Sequence, residues 1–269
     1  MSETEMRNPR TMQIDRADTL EILQLIQDEN YNAVRAIEAA MPKIREACDR
    51  IAERMARGGR LIYIGAGTSG RLGVMDAAEC PPTFGVSGDL ISGIIAGGYE
   101  RMVSAGESAE DNGEAGVRDL SQKHLTEPDT VLGISVAGNA AYVADALLYA
   151  KKEGCLTVGL SCNEGCRLDL ESDISILTRT GAEVVTGSTR MKAGSAHKMV
   201  LNMISTCVMI RMGNVYENMM INLRPSNQKL RRRVLSIVRE IFLCDEEGAQ
   251  ALMERYDWSI RAALEGEKK

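Results

Sequence analysis

The chain has 269 residues, 44% of them hydrophobic and 26% charged, which bounds it to one large globular domain or one domain with a small appendage. A net charge of −6 and an aromatic content of only 4% exclude a general nucleic-acid binder and a base-stacking platform. Any anionic ligand therefore has to be held by local donors. The polar, mixed-charge start MSETEMRNPRTMQID does not read as a signal peptide. No apolar run approaches the about 18 residues a membrane span requires, so no membrane partner is expected. Seven cysteines, an odd number scattered through apolar segments, read as free thiols of a reducing, cytoplasmic compartment. Cys162 and Cys166 are the nearest pair, and no second pair completes a zinc set.

Along residues 18–57, Leu20, Leu23, Ile26 and then Val34, Ile37, Met41, Ile44, Cys48, Ile51 and Met55 recur at three- and four-residue spacing. That spacing predicts a long helix, which Gly58-Gly59 stops. Five short apolar runs follow, at 61–66, 90–96, 130–136, 155–161 and 174–178. Helical patterns separate the later ones, notably 139–153, which closes on Gly154. Near-continuous apolar strands alternating with helices predict an α/β sandwich around a parallel sheet. From Ser188 the pattern turns helical again, and Met199, Leu201, Met203, Ile204, Val208, Met209 and Met212 form an apolar segment that a core or a subunit interface must cover. Pro225 starts a further helix carrying Lys229 and Arg231 to Arg233, a solvated basic face, and a short helical tail follows at 245–265.

Three places carry chemistry. The first is Gly65-Ala66-Gly67-Thr68-Ser69-Gly70, which follows an apolar run and precedes a helical segment ending in Glu79 and Pro81-Pro82. Such a loop leaves backbone N–H groups and two hydroxyls at a helix N-terminus, where they can hold an anion. Its glycines formally match the dinucleotide fingerprint, but the second strand ends Ile94-Ile95-Ala96-Gly97-Gly98 without the acid a ribose needs. The helix after the loop also reads as broken by a long excursion from Cys80 to Gly88. A nucleotide P-loop is excluded because Arg71-Leu72 stands where Lys and Ser/Thr are required. A phosphate loop using Thr68 and Ser69 fits best, with a merely tight turn as the bland alternative.

The second place is 181–198, GAEVVTGSTRMKAGSAHK, with Thr186, Ser188, Thr189, Arg190, Lys192 and Lys198 in close succession. Ser188 is a candidate N-cap that sets free N–H groups and cations at one helix start. The bland reading is a charged helix start without a ligand. His197 in this run reads as a helix residue rather than a substrate contact. The third is Gly106-Glu107-Ser108-Ala109-Glu110-Asp111, where Ser108 reads as a cap with acids in its first turn. The functional alternative makes Glu110 a second carboxylate working with Glu79.

At these places the chain closely resembles the N-acetylmuramic acid 6-phosphate etherases, whose relatives include the glucokinase regulatory proteins. GAGTSGRLGVMDAAECPPTFGV and EVVTGSTRMKAGSAHKMVLNM look like that family's signatures, and MRNPRTMQID and NLRPSNQKLR are similar as well. The resemblance implies a sugar isomerase (SIS) domain, a five-stranded parallel sheet between helices, over 58–215, with a helical segment at 1–57 and C-terminal helices at 216–269. It implies a homodimer acting on a small sugar phosphate without metal or other cofactor. It assigns Glu79 as proton donor and Glu110 as the second catalytic carboxylate. Gly67, Thr68, Ser69, Arg71, Ser188, Thr189, Arg190 and Lys192 are the expected substrate contacts.

The implied chemistry needs two carboxylates. Once the sugar ring opens, the C2 proton is α to the C1 aldehyde and Glu110 can abstract it. The enolate expels lactate from C3 as Glu79 protonates the leaving oxygen, and water then adds to the unsaturated aldehyde. Each proton transfer contributes roughly 100- to 10,000-fold. Glu79 must hold a proton to act as an acid at neutral pH, which burial would favour. Two departures stand out. Many etherases carry a Ser-Gly-Arg-Thr-Pro-type loop after the third strand, where this chain has Ala137-Gly138-Asn139-Ala140-Ala141. The helical stretch 245–265 is also shorter than the C-terminal bundle usual in the family. The alternative reading is a non-catalytic sugar-phosphate sensor of the regulatory type.

Overall fold

The structure, a computed structural model, describes residues 2–104, 106, 108–223, 225 and 227–267, with the backbone alone at 108. A 38-residue helix, α1 (Thr19–Ala56), is capped at its start by the Asp18 carboxylate, which accepts from Glu21 N–H. Strands and helices then alternate: β1 (Leu61–Gly65), α2 (Gly67–Phe84), β2 (Ile91–Ile95), α3 (Gly113–Ser121), β3 (Thr130–Ile134), α4 (Ala141–Lys152), β4 (Leu156–Ser161), α5 (Arg167–Glu171) and β5 (Ile174–Leu177). A second long helix, α6 (Lys192–Arg211), is followed by a small hairpin of β6 (Val215–Tyr216) and β7 (Met219–Met220). Helices α7 (Gln228–Phe242), α8 (Glu246–Arg255) and α9 (Ile260–Glu267) complete the described chain.

The five main strands are parallel and run in the order β2-β1-β3-β4-β5. Their side chains alternate between two helical layers, as the period of a strand requires. Leu61 and Tyr63 face a core shared with α1, α2 and α6, while Ile62 and Ile64 face one shared with α3, α4 and α5. This is the three-layer αβα sandwich that the five apolar runs predict. The C-terminal helices bury a separate apolar cluster around Val234, Val238, Met253 and Ile260. In an open parallel sheet a ligand sits outside the carboxyl ends of the strands, where the strand order reverses. Here that point lies between β1 and β3.

Four local expectations are corrected. The helix after the glycine loop is not broken at Cys80: α2 continues through Pro81 and Pro82 to Phe84. Cys80 and Phe84 are buried and hold the last turn despite two missing N–H donors, and Gly85 closes it in a left-handed conformation, donating to Pro81 O. Helix α6 starts at Lys192, not at Ser188. Helix α7 starts at Gln228, with the Asn227 side chain as its cap, so Pro225 precedes it. The tail is two helices, α8 and α9, rather than one. The long N-terminal helix is as expected, but Leu20, Leu23, Val34 and Met41 face outward and its buried side is built from Ala33, Ile37, Ala40, Ile44, Cys48, Ile51 and Met55.

Candidate functional site

The turn from β1 into α2 is too tight for side chains. A Cβ at Gly70 would lie 2.6 Å from Gly65 O, and one at Gly65 would lie 2.7 Å from Gly70 N. The N-cap, Ala66, supplies no side-chain acceptor, so the first N–H groups of this 18-residue helix stay open to a ligand. On the other side of the switch point, the segment after β3 turns back at Gly138, whose φ is +78° and where a Cβ would strike Cys166 Sγ at 2.1 Å. Ser135 Oγ accepts from Gly138 N–H at 3.1 Å, which leaves its own proton to donate.

These two turns form the walls of a cleft of about 290 Å³. It is lined by Gly67, Thr68 and Ser69 from α2, Ser135 and Ala137 from the β3 turn, Gly187 and Thr189, together with Glu110 and Glu5. None of the described residues lining it carries a positive charge. An anion here is held by N–H groups and hydroxyls alone. Beside it lies a groove of about 300 Å³ that shares Thr68 and contains Arg190, Ser195 and Lys198. A larger cavity of about 740 Å³, between the outer edge of β2 and α3, holds none of the sequence-predicted residues.

Of the predicted site residues, Gly67, Thr68, Ser69, Glu110 and Thr189 therefore meet in one cleft, and Arg190 borders it through the shared Thr68. Four others lie elsewhere. Lys192 is buried, and its ammonium is held by the Glu29 carboxylate and Ala182 O rather than by the cleft. Burial acts to raise the Glu29 pKa, but hydrogen bonds from Lys192, Asn8 and Asn32 outweigh it and hold the carboxyl below its usual range. Arg71 spends its guanidinium on the carbonyls of Met102 and Ser104, at 3.1 and 2.9 Å, and ties down the segment after β2. Ser188 adjoins Thr189 but is neither a cap nor a lining residue. Glu79 is exposed on α2, so a single chain does not give it the burial expected of a proton donor.

The N-terminus of α6 is closed by a group that sequence reading missed. Glu183, fully buried, accepts from Lys192 N–H at 3.3 Å and from Ala193 N–H at 3.0 Å. Burial raises its pKa, with those N–H groups and the Lys192 charge in opposition. The helix start expected within 181–198 to offer free N–H groups is thus already filled by the protein's own carboxylate, and α2 is the helix whose N-terminus opens into the cleft. His197 is fully buried on α6, its Nε2 3.4 Å from Cys162 Sγ, as its reading as a helix residue implies. The cap read at Ser108 lies outside the described side chains, and α3 is capped instead by Asn112, which accepts from Ala115 N–H at 2.9 Å.

Ser135 and Glu5 were also missed. Ser135 was hidden in an apolar run, and its signal is its place at the carboxyl end of the strand beside the switch point. Glu5 arrives from an N-terminal arm in which Thr4, Asn8 and Thr11 bond residues more than 150 positions away, a distance no local pattern reports.

Residues 43–151 match the family model of the glucokinase regulatory protein N-terminal SIS domain. Over 261 residues the chain is 50% identical to an N-acetylmuramic acid 6-phosphate etherase of Clostridium beijerinckii, covering 97% of this chain and 86% of that one. With the enzyme of the same name from Bacillus subtilis it shares 47% identity over the same length and the same coverage. Among solved structures, a putative phosphosugar isomerase from Bacteroides fragilis superposes with a TM-score of 0.54 at 21% identity, covering 75% of this chain and 95% of that one. A phosphoheptose isomerase from Francisella tularensis gives 0.52 at 13% identity, covering 71% and 98%. At these identities the two structures speak for the fold alone.

Proposed function

This chain belongs to the N-acetylmuramic acid 6-phosphate etherases, and we propose that it cleaves the C3 lactyl ether of N-acetylmuramic acid 6-phosphate, giving N-acetylglucosamine 6-phosphate and D-lactate. The observation that carries this reading is a single cleft in which the open N-terminus of α2, the hydroxyls of Thr68, Ser69, Ser135 and Thr189, and the Glu110 carboxylate converge. The phosphate rests on the N–H groups of Gly67, Thr68 and Ser69, which the helix dipole favours. Ser135 and the start of α4 take the part of the hydroxyls and arginine missing from 137–141, and Arg190 supplies charge from the neighbouring groove.

With the phosphate so placed, Glu110 removes the C2 proton of the open-chain aldehyde. The electron pair moves into the enolate and returns to break the C3–O bond. Lactate leaves with a proton from Glu79, and a water then adds its hydroxyl to C3 and its proton to C2. Gly67 and Glu79 are twelve residues apart on α2, about 18 Å along the axis at 1.5 Å per residue. One chain therefore does not bring Glu79 to its own cleft, and the acid comes from a second copy in a homodimer. The face that such a copy would cover is present: Leu20, Leu23, Tyr31, Val34 and Met41 are exposed on one side of α1. The seven unpaired cysteines support a reducing, cytoplasmic setting, and amino-sugar recycling is the corresponding role.

The test is direct. Incubated with N-acetylmuramic acid 6-phosphate, the protein is expected to release lactate and N-acetylglucosamine 6-phosphate in equal amounts. Saturable binding without lactate would overturn the enzyme in favour of a regulatory sugar-phosphate sensor.

A further inference from the structure

The N-terminal arm is fastened across the carboxyl ends of the strands by side chains other than Glu5. Glu3 pairs with Arg179. The fully buried Thr4 accepts from Asn163 Nδ2 at 3.2 Å, and the same amide donates to Val136 O in the cleft wall. Asn8 Nδ2 donates to Ala182 O at 3.3 Å, and Thr11 Oγ1 donates to Val184 O at 2.8 Å. Between these anchors Glu5 lines the cleft, with its Oε2 against Gly187, where a Cβ would come within 3.2 Å of it. Among the described residues no hydrogen bond or ion pair engages this carboxylate. Its neighbours hold the arm, and Glu5 itself is left to the cleft.

We propose that Glu5 is a substrate-positioning residue, whose carboxylate accepts hydrogen bonds from the neutral donors of the sugar, its hydroxyl or acetamido N–H groups, while the phosphate occupies the N-terminus of α2. The proposal rests on the sugar-phosphate reading of this cleft and adds to it a residue that fixes orientation. A carboxylate is an acceptor only, so it attracts the hydroxyls and amide and repels the phosphate. A sugar phosphate that sets its phosphate beside Glu5 and Glu110 instead meets two carboxylates and, among the described lining residues, no cation. One binding register is thus favoured by attraction and the other opposed by repulsion. Glu110 in this register meets the open-chain C2, and Glu5 sets the angle of approach without taking part in proton transfer.

The experiment compares the wild-type protein with Glu5→Gln and Glu5→Ala, measuring by calorimetry the binding of N-acetylglucosamine 6-phosphate and, separately, of inorganic phosphate. Glu5→Ala is expected to weaken the sugar phosphate about 10- to 100-fold, the worth of a hydrogen bond to a charged acceptor. It should not weaken inorganic phosphate, which binds equally well or more tightly once a repelling charge is gone, and Glu5→Gln, which keeps an acceptor oxygen, should fall between for the sugar phosphate. In lactate release KM should rise more than kcat falls. Equal weakening of both ligands would make Glu5 an anchor of the arm and overturn the proposal, as would unchanged affinity for the sugar phosphate. Wild-type protein that binds the sugar phosphate but frees no lactate would refute the etherase, with Glu5 still decided by the ratio of the two affinities.

Discussion

His197 holds its imidazole without exposed surface among Cys162 and the apolar side of α6. Burial pulls its pKa from 6.5 down to about 4, the Ser161 backbone acting weakly the other way. Between these values the unfolded chain binds a proton that the folded one refuses. Stability therefore rises with pH through this window, is complete above about 6.5, and is lost as the pH falls toward 4, by about 3 kcal/mol from this group. Urea unfolding across that range should show the loss in the wild-type protein and a flatter profile in His197→Gln; identical profiles would remove His197 as the cause. The same helix start explains what could be read at the level of single residues. Thr189 and Lys192 stand in one polar run, so residue type alone made both of them ligands. Their directions differ because the chain enters α6 at 192, and the first helical turn aims Lys192 at Glu29, far away in sequence. Thr68 and Ser69 were legible as cleft residues because a glycine turn is local, whereas Glu110 came from the family resemblance, its short acidic motif by itself reading as a helix cap. Glu5, Ser135 and Glu183 were not, because their roles depend on packing between distant segments.

At the level of elements, the cleft depends on how α2 is set against β1 and α6. Asp76, buried on α2, is the fastening: Tyr63 Oη donates to its Oδ2 at 3.0 Å, and Asn202 Nδ2 and Ser205 Oγ donate to its Oδ1 at 2.6 and 3.3 Å. Burial and the Asp76 charge hold the Tyr63 phenol protonated well beyond its usual range, so it stays a donor. Asp76→Ala would orphan the buried Tyr63 hydroxyl, costing about 1–3 kcal/mol, and would take the shared acceptor from the half-buried Asn202 amide and the buried Ser205 hydroxyl. We expect Asp76→Ala to lose at least about 2 kcal/mol in urea unfolding and Asp76→Asn to lose less, because its amide oxygen still accepts. Equal stability of the alanine variant would mean that packing alone sets α2. Elements of this kind were the most legible part of the chain. The five strands announce themselves as continuous apolar runs because both faces of a parallel sheet are covered. The helix expected to break at Cys80 runs on through Pro81 and Pro82 because the buried side chains of Cys80 and Phe84 outweigh the prolines' poor local propensity.

At the scale of the molecule, the proposed mechanism needs two chains, and that requirement can be separated from mere self-association. Leu20, Leu23, Tyr31, Val34 and Met41 fall within about a quarter-turn of one another at 3.6 residues per turn, next to the buried face of α1. A stripe of this kind is rare on a monomer's surface unless something covers it. If a second copy covers it and lends Glu79 to the neighbouring cleft, each active site mixes residues of both subunits. A Glu79→Ala homodimer then lacks the acid at both sites, and should still exchange the C2 proton with solvent while freeing no lactate. A Glu110→Ala homodimer lacks the base at both sites and should do neither. Mixed together and allowed to exchange subunits, the two inactive variants form heterodimers in half of the population, each with one intact site and one doubly defective one. Lactate release should return to about one quarter of the wild-type rate, the product of those two halves for a two-fold symmetric pair. Sites built within one chain would give no recovery at all, since every subunit in the mixture lacks one carboxylate. A charged residue in the stripe, such as Val34→Glu, should abolish both dimer and recovery, which ties the reappearance of lactate to this face of α1.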